Sequence, residues 1–241
     1  MSEAQESAGT GRKLVFAGRA VDHAALLDPA WHTALAGAGV ERLQLNLDDE
    51  PVAGALRLST GEPFTAVVSL WTDGADHAAA TSLVTALAGE WHGWEVEERR
   101  PLPPPEVWDD CERVPALANV ALLRRPAELD DATWRHRWLV DHTPVAIATQ
   151  GTFGYVQNVV RGPVVEGSEP VAALVEELFP AEAVTDVHAF YGSGGDRGEL
   201  ERRMTAMMAS VARFGADRDL DLVPTGRRLV RLVAGAQGGE R

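Results

Sequence analysis

The sequence predicts an α+β fold of two ferredoxin-like halves packed sheet against sheet within one chain, an intrachain pseudo-dimer. Three observations carry this. Segments of period-two and of helical hydrophobicity follow in the order β-α-β-β-α-β, and then do so again. A proline-rich break, PLPPPEVWDD from Pro101, separates the two runs. A four-stranded sheet with helices on one face leaves its other face apolar, and two such units in one chain can cover each other.

The opening MSEAQESAGTG (residues 1–11) is polar and acidic, the composition of a disordered lead-in and not of a secretory signal. The N-terminal half is expected over 12–100. Lys13–Gly18 is a short apolar strand. Asp22–Gly37 has helical composition, with Asp22 as N-cap and Gly37 and Gly39 as stop signals; Pro29 must sit in a first turn or split the stretch. Leu43, Leu45 and Leu47 alternate with Arg42, Gln44 and Asn46 in a half-buried strand over Val40–Leu47. Turn clusters at Asp48–Pro51 and Gly61–Pro63 lead to a third strand, Phe64–Trp71. Ala-rich Asp76–Gly89 reads as helix and Trp94–Arg100 as the fourth strand.

Residues 101–115 are expected to be an extended linker, because prolines lack ladder donors, with Trp108 tacked onto a domain surface. The C-terminal half is expected over 116–235 and a loose tail over 236–241. Leu117–Arg125 reads as a strand. A helix starts at an Asp130 or Asp131 cap and is expected to end or kink just past His142, with Val145–Thr149 as a further turn, since Thr143 precedes Pro144 and is pushed away from helical angles. Gly151–Arg161 is the next strand. Ala172–Phe179 admits strand or helix, and its place in the repeat favours strand. Gly192–Gly198 is a loop: its glycines miss the phosphate-binding spacing and no Walker lysine follows. Glu199–Phe214 is a helix whose Leu200, Met204, Met207, Met208 and Val211 form one stripe, read as core filling. Arg228–Val233 closes the sheet.

Composition limits the function. Lys and Arg total 22 against 36 Asp and Glu, a net charge of −14, which argues against a nucleic-acid partner. The single cysteine, Cys111, excludes an intrachain disulfide and a Cys-based metal site, and no His-Glu-x-x-His spacing suggests zinc. Lys13 is the only lysine, so no other position can form a Schiff base. No run approaches the ~18 apolar residues of a membrane span. The expectation is a cytoplasmic protein with no membrane partner and no metal.

Leu122-Leu123-Arg124-Arg125-Pro126, then Trp134 and Trp138, His142-Thr143-Pro144 and Tyr155-Val156-Gln157-Asn158 together resemble the EthD family of dimeric α/β-barrel proteins. The similarity covers roughly Leu117–Arg161 and is fainter onward to Val233. The first half lacks the motif: His32 has no following His-x-Pro, and its second strand carries Gln44-Leu45-Asn46 without a tyrosine. The resemblance implies a pseudo-dimeric α/β barrel with one intact site per chain and an apolar small-molecule ligand between sheet and helices. The chemistry implied is cofactor-independent proton transfer, as in dehydration, decarboxylation or cyclisation. A non-catalytic accessory of an oxygenase, and a barrel binding haem through His142 or His188, are the alternatives. A homodimer of pseudo-dimers and an oxygenase are the protein partners it leaves open.

His142 is the candidate acid or base, because free imidazole titrates near neutral pH; the alternative is a capping core histidine. Tyr155 and Gln157 point to one sheet face and Val156 and Asn158 to the other. The first pair is favoured for the site, with the Tyr155 hydroxyl the partner of a substrate oxygen, while Asn158 also fits a tie to a neighbouring strand. Trp138, Gln157, Asn158 and His188 are the substrate-binding candidates. At helical spacing, Trp134 and Trp138 equally fit core packing.

Overall fold

A computed structural model of the chain describes residues 12–73, 77–108 and 111–232. The expected lead-in, the tail and Val233 lie outside them. Eight strands, β1 (Arg12–Arg19), β2 (Val40–Leu47), β3 (Ala66–Thr72), β4 (Glu90–Leu102), β5 (Ala116–Leu123), β6 (Gly154–Pro163), β7 (Ala173–Pro180) and β8 (Leu220–Arg231), close into one barrel in the order β1-β3-β2-β8-β5-β7-β6-β4. All pairings are antiparallel. The fold is α+β, as expected. The first four strands and the last four, however, meet edge to edge, β2 on β8 and β4 on β6, instead of as two stacked sheets. Pairing those edges satisfies backbone donors and acceptors that two open sheets would leave exposed.

Alternation gives every strand an inner and an outer face. Val15, Ala17, Val67, Trp94, Val120, Leu122 and Leu174 fill the barrel's interior. They share it with a polar layer in which Lys13, Gln44, Asn46, Asn158, Glu176 and Arg227 are linked directly or through one another. On the outside of the first half, the cross-strand rows Leu14–Leu70–Leu43 and Phe16–Val68–Leu45 are apolar throughout. The helices α1 (His23–Leu26), α2 (Pro29–Gly37) and α3 (Ala78–Thr85) flank this face, with Trp31, Leu35, Val84 and Trp91 packed onto it in a single core. Pro29 splits the first helical stretch: Asp28 caps α2 and Pro29 follows as its first residue, where a missing N–H costs nothing.

The second half carries α4 (Asp131–Arg135), a π-helical segment (His136–His142), α5 (Thr143–Thr149), α6 (Val187–Tyr191) and α7 (Arg197–Ala212). The helix changes type at His142 but does not end there, and the further turn expected over Val145–Thr149 belongs to α5. Thr143 is helical, with φ −50 and ψ −49, and the chain continues through Pro144. In the i→i+5 register Pro144 would leave the Leu139 carbonyl without a donor. The Thr143 hydroxyl lies 3.0 Å from that carbonyl and 3.2 Å from that of Trp138, filling the gap. Of the stretch expected over Ala172–Phe179, the strand β7 takes up Ala173–Pro180, as the repeat order favoured. The fourth strand runs on to Leu102, into the expected linker. The short α6 was not anticipated; Gly192, at φ 61, caps it in the left-handed region that suits glycine. The α7 stripe fills a core only in part, through Met207 and Val211, which pack against the second-half core. Ser210 is the one buried residue of that helix, while Met204 and Met208 are exposed.

Candidate functional site

Beneath α5, α7 and the π segment, the outer face of the second half carries a polar row where the first half has leucine and phenylalanine. Glu177 on β7 is directly opposite Tyr155 on β6 and Asn119 on β5, so three polar side chains stand side by side on consecutive strands. Such cross-strand neighbours have Cβ atoms about 5 Å apart. They lie on the floor of a cavity of about 460 Å³. Its walls are Trp138 from the π segment, Met207, Val211 and Phe214 on and just after α7, and Val175 and Leu222 from the sheet. The α7 stripe is therefore half core and half cavity wall.

Each polar group in the cavity is set by its surroundings. Glu177 is buried, and that burial pushes its carboxyl up to about 7, partly offset by Gln150. With its amide oriented to satisfy both neighbours, Gln150 donates to Glu177 Oε1 at 3.0 Å and to the Ala146 carbonyl at 3.2 Å. Burial, aided by the nearby Glu177 charge, raises the Tyr155 phenol, so its hydroxyl keeps its proton and can donate. Asn119 Oδ1 is buried with no partner among the described residues. An orphaned acceptor in a cavity is a place for a ligand donor or a water.

His142 lines this cavity at 4% exposure. Its Nδ1 is 2.9 Å from Ser210 Oγ and its ring packs on Phe214, with centroids 4.7 Å apart. Burial pushes its pKa down to about 4, so at neutral pH it is an uncharged imidazole. The expectation that it titrates near neutrality fails for that reason; near pH 7 the titrating group in the cavity is Glu177. Ser210→Ala strips His142 Nδ1 of its partner and is expected to lower stability by about 1–3 kcal/mol, read from urea unfolding. An unchanged midpoint would mean that water replaces the hydroxyl.

The structure brings His142, Tyr155 and Trp138 together and separates the other candidates. Gln157 shares the outer face with Tyr155 but is fully buried outside the cavity, donating to Thr143 Oγ1 at 2.8 Å. It braces the π segment from below. Asn158 faces the barrel interior and donates to Glu176 Oε1 at 2.8 Å, the strand tie weighed above. His188 lies outside the cavity, its Nδ1 2.6 Å from Ser193 Oγ. Trp134 is core, packed at a tilt against Trp138 and donating to the Phe214 carbonyl.

Glu177, Asn119 and Gln150 were not anticipated. The readable signal was Glu176-Glu177 inside the apolar strand ALVEELFP: alternation must send one carboxyl inward and the other under the helices.

Haem does not fit this lining. Among the described residues, the acidic and basic side chains of the lining besides the neutral His142 are Glu177, Asp217, Asp219 and Arg218, and Arg218 is paired with Glu128. Two propionates would meet carboxylates without a free cation. The His142 ring is packed on Phe214, and His188 lies outside the cavity. Among the described residues no group of three or more His, Cys, Asp or Glu is placed to hold a metal ion, and no helix is long and apolar enough to cross a membrane.

No family model matches the sequence, and no curated protein matches it. Solved structures do. An anthrone oxidase-like protein superposes with TM-score 0.57 at 10% identity, covering 94% of each chain. A proposed monooxygenase from Lactobacillus acidophilus NCFM gives 0.44 at 10% identity, over 92% of this chain and 97% of the other. A mutant chlorite dismutase from Candidatus Nitrospira defluvii gives 0.42 at 14%, over 92% of each. The first of these shows the fold. The EthD resemblance is thereby narrowed to its coarser content: this chain has the dimeric α/β-barrel fold, closed within a single polypeptide.

Proposed function

We propose that the chain binds an uncharged, largely apolar small molecule in the second-half cavity and exchanges a proton with it through Glu177, without a cofactor. The observation that carries this reading is the placement of Glu177: a carboxyl buried among apolar walls, with a phenol on one side and an orphaned amide oxygen on the other. A base works best when its pKa lies near the working pH, and burial brings this carboxyl there. The carboxylate takes a proton from the ligand. Tyr155 donates a hydrogen bond to the ligand oxygen on which negative charge develops, and neutral His142 and Asn119 orient the ligand. The resulting carboxylic acid returns the proton to carbon or to a departing oxygen. Dehydration, decarboxylation and cyclisation all contain such a step.

The matching strand orders, β4-β1-β3-β2 and β8-β5-β7-β6, support reading the chain as two ferredoxin-like halves, 12–100 and 116–235, joined by 101–115. The apolar rows of the first half support one site per chain. The name of the anthrone oxidase-like protein supports only the choice of an enolisable aromatic ketone as first ligand. With 2-tetralone in D₂O, the protein is expected to accelerate α-proton exchange, followed by NMR, with a rate that rises through pH 7 as Glu177 ionises. Binding without faster exchange would leave a carrier or accessory role and sink the proton-transfer reading.

A further inference from the structure

The mouth of this cavity is built by the other half of the chain. β8 pairs with β5 over Leu220–Thr225 but with β2 only over Gly226–Arg231, so the first stretch keeps an edge that no barrel strand covers among the described residues. Residues 53–60, between β2 and β3, run along that edge. The Leu58 N–H donates to the Leu222 carbonyl at 3.2 Å, and the Leu222 N–H donates to the Leu58 carbonyl at 2.9 Å. Thr60 fastens the end of the segment: its N–H donates to Asp221 Oδ1 at 2.8 Å and its hydroxyl lies 3.2 Å from Oδ2. Asp221 is 1% exposed and is held in turn by Arg124 at 2.7 Å. On this anchored backbone Leu56 and Leu58 line the cavity, yet they are 64% and 41% exposed.

We propose that residues 53–60 form a strap through which the siteless half sets ligand length, with Leu56 and Leu58 covering the far end of an extended apolar ligand. This rests on the reading of the cavity as a ligand site. Paired directly opposite each other, Leu58 and Leu222 present their side chains to the same face. Going outward from Glu177, the strands are β7, β5, β8 and then the strap, three gaps of about 4.8 Å, or roughly 14 Å. A two-ring ligand anchored at Glu177 ends short of the leucines. A four-ring ligand reaches them and buries surface that water now covers.

The test uses the full chain and two uncharged fluorescent probes, 2-naphthol and Nile red, titrated against wild type and the double variant Leu56→Ser/Leu58→Ser. Nile red is expected to bind the variant about tenfold or more weakly, from the lost burial of two leucines. Binding of 2-naphthol is expected to stay within about twofold. Thr60→Val keeps both leucines and removes one fastening; it is expected to weaken Nile red alone by about threefold, and it carries the test if the double variant does not fold. Equal losses for both probes, or none for Nile red, overturn the strap while leaving the cavity a ligand site. No binding of either probe to wild type overturns the cavity reading and the strap with it.

Discussion

Glu177→Gln is expected to lower the proton-exchange rate by about 10²- to 10⁴-fold, the usual contribution of a positioned base, and at the same time to stabilise the protein above neutral pH. The two effects have one origin. In the unfolded chain the carboxyl titrates near its ordinary 4.5, and in the folded protein burial raises it to about 7. Between those values the folded state holds a proton that the unfolded state has lost. Stability is thus unaffected by this group below 4.5, falls as pH rises through the window, and stays reduced above 7. The shift corresponds to about 3 kcal/mol. Glutamine has the same shape and no charge to bury. Urea unfolding should therefore show equal stabilities at pH 4 and a variant more stable by up to about 3 kcal/mol at pH 8.5. A difference that does not change with pH would mean that Glu177 is solvated, and its role as the tuned base would go with it. A stabilised but inactive variant is the mark of a group kept for chemistry at the expense of the fold.

What was legible in the sequence was what depends on local chemistry. β2 falls on Val40–Leu47 because its apolar residues alternate strictly, and Pro29 divides its helix because a proline ring is tolerated only near a helix start. The Tyr155 face was legible too, since alternation allows only two assignments. The rest depended on tertiary partners. Pro144 predicts a break, but a hydroxyl one residue earlier caps the exposed carbonyl and Gln157, on a strand, holds that hydroxyl. The α7 methionines look like core on a helical wheel because the wheel shows which residues share a face, not whether that face meets protein or a hollow. His142 was legible as a candidate, and it lines the cavity, but its protonation was not legible, because its pKa is set by burial. Which strand edges pair to close the barrel was hidden from periodicity, since pairing between distant strands leaves no mark on either one; only the family resemblance implied a barrel at all.

The neighbouring carboxyl has the opposite fate, and the second large effect follows from it. Lys13→Met is expected to destabilise the protein by about 3–5 kcal/mol, the cost of removing one partner from a buried ion pair. Lys13 is 4% exposed, and its Nζ lies 2.7 Å from Glu176 and 2.8 Å from Glu98 inside the barrel. Burial alone would raise the Glu176 carboxyl as it does Glu177, but Lys13 and Arg227 overcome it and hold Glu176 down at about 2. Its stabilising contribution is therefore present above 4.5 and lost as pH falls toward 2. Lys13 stands on β1, Gln44 on β2 and Glu176 on β7, so the network ties the first half to the second across the barrel interior. Without Lys13, Glu176 loses the one ammonium bonded to it and stays buried as an under-compensated anion. Adding Glu176→Gln to Lys13→Met should recover most of the loss at pH 7, and both variants should show a flatter acid limb than wild type in urea unfolding between pH 5 and 2. A single variant costing under about 1 kcal/mol, the range of a surface pair, would show that water enters the barrel. If the stronger effect holds, one dipeptide on one strand divides two tasks by side-chain alternation alone: the inward glutamate clamps the halves together, and the outward one is left unpaired among apolar walls, where its proton is free to move.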